Sequence, residues 1–426
     1  MTDLILTDRS RIVEGFKCPM KRFYRYHSME SGYGVVRKAH SMPLATGTFV
    51  HQALEQILIL QKESAAIIPE PLVDAAITTA VRNYQLMIKG RGYLDIEEGR
   101  EQTEYILAEQ TALVSGLVWA WYYYMLPELI RQYQIIEIEE EHTYQIPGSK
   151  VAIMARPDFV CRDRTSGKLS IHDFKTASYA PTPADWSDSP QMALGTLAVE
   201  DALGEPVESY CMHALIKGQR KATYNQETRE YDGPKQQHSI YCYGQWRPGS
   251  PPLSEEDWKP HHEFIEDGKK RKTGKAYQRT PVWEHWDAKE WVRFVGEDPY
   301  NRSHIYKSLM VLGPYERQSE VLASLVESIR LTEEKWLQDR WAAYDLARRY
   351  QWDSSDYQDK LTKIIPRSFN CRDYKRDCEY KQLCYHHYGW KELGEFTPRR
   401  PHHQQEIDEM VARGIEVPPE AWEEEE

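Results

Sequence analysis

A chain of 426 residues that is 41% hydrophobic and 12% aromatic can bury a large core, in one elaborated α/β domain or in two to three ordinary ones. The longest apolar run, residues 112–126, is short of the ~20 residues a membrane span needs. No stretch reads as a signal peptide, and seven scattered cysteines point to a reducing cytoplasm and away from a disulfide framework. The net charge of −12 neither excludes a nucleic-acid partner nor suggests one, because residues 404–426 alone hold nine acidic side chains against one arginine.

Taken in order, Thr7 and Asp8 are cap residues ahead of a short helix, and Cys18-Pro19 opens a basic, aromatic one. Its Lys21, Arg22 and Arg25 suit phosphates and solvent equally. Apolar spacing makes residues 47–60 an amphipathic helix that carries His51 and Glu55 one turn apart on one face. Residues 70–93 and 96–133 read as long helices, the second with Trp119, Trp121 and Tyr122 to Tyr124 as core packing. Residues 135–145 read as a strand, which Pro147-Gly148 turns back.

Residues 155–177 then form a hairpin, two strand-like runs about a Thr165-Ser166-Gly167-Lys168 turn signal. With Ser166-Gly167 as a two-residue tip, Asp158 lies opposite Lys175 and diagonal to Asp173. Two carboxylates and an ammonium then share one face while Phe174 points into a core. Such a face is a metal site with a lysine beside it. A helix over residues 190–204, closed by Gly204, and a strand over 209–216 complete a strand–helix–strand unit of mixed α/β type. Residues 217–281 are polar, with a strand at 239–243. Their basic run, residues 268–275, fits a solvated loop or one that meets backbone phosphates. Helices follow over 285–294 and 318–349. Residues 401–426 read as an acidic, disordered tail.

Near the end stand Cys371, Cys378 and Cys384, and three clustered thiols in a reducing compartment suggest a metal. Cys18 is the natural fourth ligand, since Cys161, Cys211 and Cys242 sit inside predicted strands. The gaps exceed those of zinc knuckles, which favours an iron–sulfur cluster over zinc. Such a site would staple the first helices to the last ordered segment.

This ordered set (Cys18-Pro19, Gly47-x-x-x-His51-x-x-Leu54-Glu55, Pro157-Asp158, Asp173-x-Lys175, a helix bearing Gln191, three late cysteines) resembles the RecB-type nucleases of the PD-(D/E)XK superfamily. The branch resembled carries an iron–sulfur cluster and includes AddB-like domains, CRISPR-associated RecB-like exonucleases and phage-encoded relatives. The resemblance covers about residues 5–216 and 365–385. It implies an α/β restriction-endonuclease-like core, a mixed central sheet flanked by helices, with large helical insertions and a cysteine-cluster staple. A nuclease domain would fill residues 1–400: a helical insertion at about 65–133, the catalytic core at about 134–216, a polar, basic insertion at about 217–281, and C-terminal helices with the cysteine cluster at about 282–390.

Carried over residue by residue, the resemblance makes His51, Asp158, Asp173 and the Phe174 carbonyl ligands of Mg²⁺ or Mn²⁺. Lys175 becomes the catalytic lysine, and Gln191 with Thr176 contacts the DNA backbone or the attacking water. Cys18, Cys371, Cys378 and Cys384 become ligands of a 4Fe–4S cluster, with zinc as the alternative occupant. Three positions depart from the pattern. Gly195 stands where many relatives have a tyrosine, so a DNA-positioning contact is either missing or supplied elsewhere, for example by Tyr179. The gap from Cys371 to Cys378 is longer than in some relatives, and Ala155 replaces a frequent glycine.

The implied activity is a metal-dependent DNA exonuclease acting on single strands or duplex ends in recombination, repair or phage DNA processing. Its setting would be the cytoplasm of a bacterial or phage-infected cell, away from membranes, with a helicase or recombination protein as partner and oligomerisation open. The alternative is a non-catalytic DNA-binding or scaffold subunit of a larger recombination or CRISPR-adaptation complex. A zinc-stapled structural protein is a third reading.

Overall fold

The computed structural model describes residues 5–27, 33–37, 42–89, 100–177, 190–217, 223–224, 231–232, 241–243, 279–281, 287–297, 309–311, 319–350, 354–368, 371–373, 376–385, 390–401, 403–412 and 414–418. The chain opens with β1 (Ile5–Asp8), α1 (Arg9–Lys17), α2 (Pro19–Tyr26) and β2 (Val35–Arg37). The Asp8 side chain caps α1 by accepting the Arg11 N–H at 2.9 Å, and Pro19 occupies the first turn of α2, where no N–H partner is needed. Three long helices follow: α3 (Met42–Lys62), α4 (Glu70–Lys89) and α5 (Arg100–Tyr124), then the short α6 (Leu126–Gln132). The helix expected over 96–133 is thus two, divided at Met125, because Pro127 in the first turn of α6 cannot continue the hydrogen-bond ladder of α5.

After α6 come β3 (Tyr133–Ile138), β4 (His142–Gln145), β5 (Val151–Ala155), β6 (Phe159–Asp163), β7 (Leu169–Ala177), α7 (Pro190–Leu203) and β8 (Val207–Ile216). The strand expected over 135–145 is broken. Glu139 has φ of 51°, a left-handed conformation that no other non-glycine adopts among the described residues. That kink sends β3 and β4 into different sheets. The central sheet runs β9-β8-β7-β6-β3, where β9 is Leu309–Val311; β7 and β8 are parallel and the other pairs antiparallel. The second sheet runs β1-β5-β4.

Both faces of the central sheet are covered, which explains why β7 is buried from Leu169 through Phe174. On one face Phe159, Cys161, Phe174 and Leu215 join a core with Phe49, Trp121 and other residues of α3, α4 and α5. On the other, Val160, Ile171, Tyr210 and Met212 pack against Met192 and Val199 of α7. The first core also holds a polar chain. The Trp121 Nε1–H donates to His213 Nδ1 at 3.3 Å, and His213 Nε2 meets His172 Nδ1 at 3.0 Å. Because an indole only donates, His213 carries its proton on Nε2, and His172 therefore on its own Nε2. Burial holds both imidazoles neutral, His213 at about 4.

Further helices are α8 (Ala288–Glu297), α9 (Ser319–Arg349), α10 (Ser355–Ile364) and α11 (Gln404–Ala412), and two helices of five and four residues span Lys381–Tyr385 and Trp390–Leu393. Arg22 of α2 meets Glu333 of α9 through two hydrogen bonds of 2.6 and 2.5 Å, with each side chain only 1% exposed. The acidic tail is a correction: it begins as a docked helix. Glu406 is buried against Arg11 at 2.6 Å, Met410 is fully buried, and His403 bridges Asp8 at 2.9 Å and Glu141 at 2.7 Å. Partners for its charges from the N-terminal segment are what order it. Residues 419–426, the basic run at 268–275 and Tyr179 lie outside the described residues. Among the described residues no helix is long and apolar enough to cross a membrane.

Candidate active site

The hairpin that carries the site differs from the expected one by two residues. Its loop has four residues, 164–167, closed by the Asp163 N–H on the Lys168 carbonyl at 2.9 Å. The Asp163 carboxylate accepts the N–H groups of Thr165 at 2.8 Å and Ser166 at 2.7 Å, and Gly167 takes φ of +72°. An aspartate that folds the backbone over itself competes with a tight two-residue turn, and here it wins. Pairing therefore runs Arg162↔Leu169 through Phe159↔His172, and one further step brings Asp158 level with Asp173 instead of Lys175. A shift of two preserves the face, so the carboxylates still converge.

Each acidic side chain is held by named donors. The Asp158 N–H donates to Asp173 Oδ1 at 3.0 Å, and Asp158 Oδ2 accepts the Phe174 N–H. Asp173 Oδ2 accepts from Gln191 Nε2 at 2.7 Å and from the Tyr210 hydroxyl. His51 of α3 brings Nδ1 to 3.3 Å from Asp158 Oδ1, and its ring stands edge-on to Phe174. The helix comes this close because of Gly47, one turn earlier: a Cβ there would lie 3.0 Å from Thr176 Oγ1. Lys175 follows Phe174 at the half-exposed end of β7, where it acts electrostatically on both Asp158 and Asp173. The side chain of Phe174 itself is buried in the core.

The two aspartates are pushed apart. Burial raises Asp173, with the Asp158 charge next, and Lys175 and Tyr210 recover only part of that shift. Burial also opposes ionisation of Asp158, but His51, Lys175 and the Phe174 N–H outweigh it and leave the group below its ordinary value.

Glu139 and Tyr210 are residues of this centre that sequence reasoning missed. Glu139 donates its N–H to the Asp158 carbonyl at 3.0 Å, while its carboxylate sits 3.2 Å from Arg156 Nε. It thereby brackets residues 156–158 from two sides, and burial together with Asp158 pushes it up to about 8. As the first of three consecutive glutamates it carried no distinguishing signal. Tyr210 sat unmarked in an apolar strand. Glu55, noted only for its spacing from His51, is also raised by burial, with Asp158 adding to the shift.

The donor set suits a hard divalent cation: two carboxylates, an imidazole, and Gln191 Oε1, a buried oxygen with no hydrogen-bond partner among the described residues. Still, among the described residues no three His, Cys, Asp or Glu side chains stand close enough together to hold a metal ion. That applies equally to the cysteines. Cys18, Cys378 and Cys384 meet at one core, the Cys378 N–H donates to the Cys371 carbonyl at 2.8 Å, and Cys384 is pushed up to about 11 by burial with Cys18 and Cys371 adding to it. The four thiols share a neighbourhood without forming a ligand shell. Cys161 and Cys211 lie in β6 and β8, and Cys242 in the strand Tyr241–Tyr243, as expected.

Compared with known proteins, the chain matches the family model described as PD-(D/E)XK nuclease superfamily over residues 10–385, a span that includes every residue discussed above from Arg11 to Cys384. No curated protein matches it.

Proposed function

The chain belongs to the PD-(D/E)XK nuclease superfamily, and from that premise we propose that it is a Mg²⁺- or Mn²⁺-dependent DNA exonuclease acting on single strands or duplex ends. The observation that carries this reading is that His51 and Asp173 each contact Asp158, next to Lys175 at the half-exposed end of β7. His51, Asp158, Asp173 and the Phe174 carbonyl would hold the ion. When bound, the ion supplies charge neutralisation at the scissile phosphate and a more acidic water. Lys175 orients that water and stabilises negative charge developing on the phosphate oxygens. Gln191 and Thr176 hydrogen-bond the nucleic-acid backbone. Contacts of this kind read phosphates and not base edges, so cleavage is not sequence-specific.

Recombination, repair or phage DNA processing in the cytoplasm is the setting we assign, with a helicase or recombination protein as partner. The neighbourhood of Cys18, Cys371, Cys378 and Cys384 supports a 4Fe–4S cluster as a staple between the two ends of the domain. Brown absorption and bound iron in protein purified without oxygen test it; a colourless, zinc-bearing preparation would replace it.

The decisive measurement for the enzyme is degradation of end-labelled DNA with Mg²⁺ or Mn²⁺. Wild type should degrade it and Lys175→Ala should not, although both bind it. If wild type and variant bind DNA and leave it equally intact, the chain is a non-catalytic binding subunit.

A further inference from the structure

We propose that Tyr210 is a positioning residue of the hydrolytic site, holding Asp173 so that one fixed oxygen faces the cation, and that position 195 is glycine because the phenol ring fills its side-chain space. The inference rests on Asp173 being a metal ligand.

Tyr210 pairs with Ile171 in the parallel β7–β8 ladder, which places it on the same face as Asp173. The residue is buried, and its hydroxyl ends on Asp173 Oδ2, where Gln191 Nε2 also donates at 2.7 Å. The Asp158 N–H takes one direction at Oδ1. A carboxylate offers about four lone-pair directions, so three are committed and the one left over belongs to Oδ1. The donors thus select the oxygen that can meet a cation. Asp173 is only 1% exposed, so bulk water cannot stand in for the phenol. A phenol with a free pKa of about 10 is a donor at neutral pH.

Gly195 lies one helical turn beyond Gln191. A Cβ built there meets Tyr210 Cε2 at 3.4 Å and its hydroxyl oxygen at 3.7 Å. A methyl would just touch the ring, and anything larger would displace it. The helix that delivers Gln191 to Asp173 therefore also leaves the gap through which Tyr210 reaches the same oxygen. The tyrosine that meets Asp173 comes from β8.

The test titrates Mn²⁺ into the purified full chain, following the free-ion EPR signal, for wild type, Tyr210→Phe, Gly195→Leu and Asp173→Asn. Hydrolysis is measured alongside as a function of Mn²⁺, and circular dichroism confirms that each variant is folded. Tyr210→Phe should weaken Mn²⁺ binding about 10- to 100-fold, the effect typical of losing a partner of a metal ligand. Its half-saturating Mn²⁺ for hydrolysis should rise in parallel, with a smaller change in kcat at saturating metal. Gly195→Leu should behave like Tyr210→Phe, and Asp173→Asn should abolish binding. If Asp173→Asn binds Mn²⁺ as wild type does, the assignment of the metal site fails. If Asp173→Asn loses binding but Tyr210→Phe keeps wild-type affinity and half-saturation, that assignment stands and the role of Tyr210 is refuted.

Discussion

Glu333→Leu should destabilise the chain by about 3–5 kcal/mol, the cost of leaving one member of a buried ion pair without its partner. The geometry sets this magnitude: Arg22 gives both terminal nitrogens to the carboxylate at 2.6 and 2.5 Å, and neither side chain reaches water. Part of the loss is cushioned, because the guanidinium also lies 4.7 Å from the Trp336 ring centre, an attraction worth up to ~2 kcal/mol when desolvated. The lower end of the range is therefore expected, about 3 kcal/mol. With an m-value near ~3 kcal/mol/M, the urea midpoint should fall by roughly 1 M. Tryptophan fluorescence is the natural probe, since Trp336 touches the pair. Replacing both partners, Arg22→Met with Glu333→Leu, should recover most of the loss, because apolar residues of similar volume remove the stranded charge. An unchanged midpoint in Glu333→Leu, or a double variant as unstable as the two single losses added, would refute the reasoning. The pair matters for function because it ties α2, which starts directly after Cys18, to α9.

His403 predicts a pH dependence. Burial opposes its protonation, but the hydrogen bonds its ring donates to Asp8 and Glu141 outweigh burial and raise it above 6.5, even with Arg11 nearby. A raised folded value means that its stabilisation is complete below the unfolded value of about 6.5 and is lost as pH rises through the folded one. Wild type should therefore lose stability across that window more steeply than His403→Gln, which keeps only the slope of other raised groups such as Glu139; equal slopes in chemical denaturation would count against the bridge. Gly34→Ala should cost more than ~1 kcal/mol, because Gly34 has φ of +91° and a Cβ there would stand 2.2 Å from the Arg25 carbonyl oxygen. A thermal melt indistinguishable from wild type would contradict that contact. Finally, Mg²⁺ at 100 times its dissociation constant should stabilise the native chain by about 2.7 kcal/mol. Calorimetry should show that increment in wild type and not in Asp158→Asn, and chelation should reverse it.

Much of the centre was legible because its residues sit in short motifs with fixed periodicity. Gly47 and His51 are one helical turn apart, Asp173 and Lys175 share a strand face, and Gln191 opens the following helix. What escaped depends on contacts between segments. The hairpin was misplaced by two residues because the Asp163 side chain, not the Ser166-Gly167 pair, determines the loop. Glu139 looked like any strand residue until its left-handed backbone broke the strand in two. Tyr210 and Gly195 make sense only once β8 lies beside β7 and α7 covers both. The tail read as disordered because its acidic composition hides the buried Arg11 that Glu406 neutralises.

The buried histidine pair bears on assembly fidelity. If β7 slid by one residue against β8, every apolar side chain would change face and hydrophobicity alone would reject the error. A slide of two is subtler, since all faces are preserved and the aliphatic residues pack almost as before. It would, however, take His172 off the diagonal on which its Nδ1 meets His213 Nε2. Stranding buried nitrogen groups in this way costs about 1–3 kcal/mol. The imidazoles thus work as a proofreading key for strand assembly, rejecting the one misalignment that oil-and-water patterning would tolerate and that would carry Asp173 away from Tyr210.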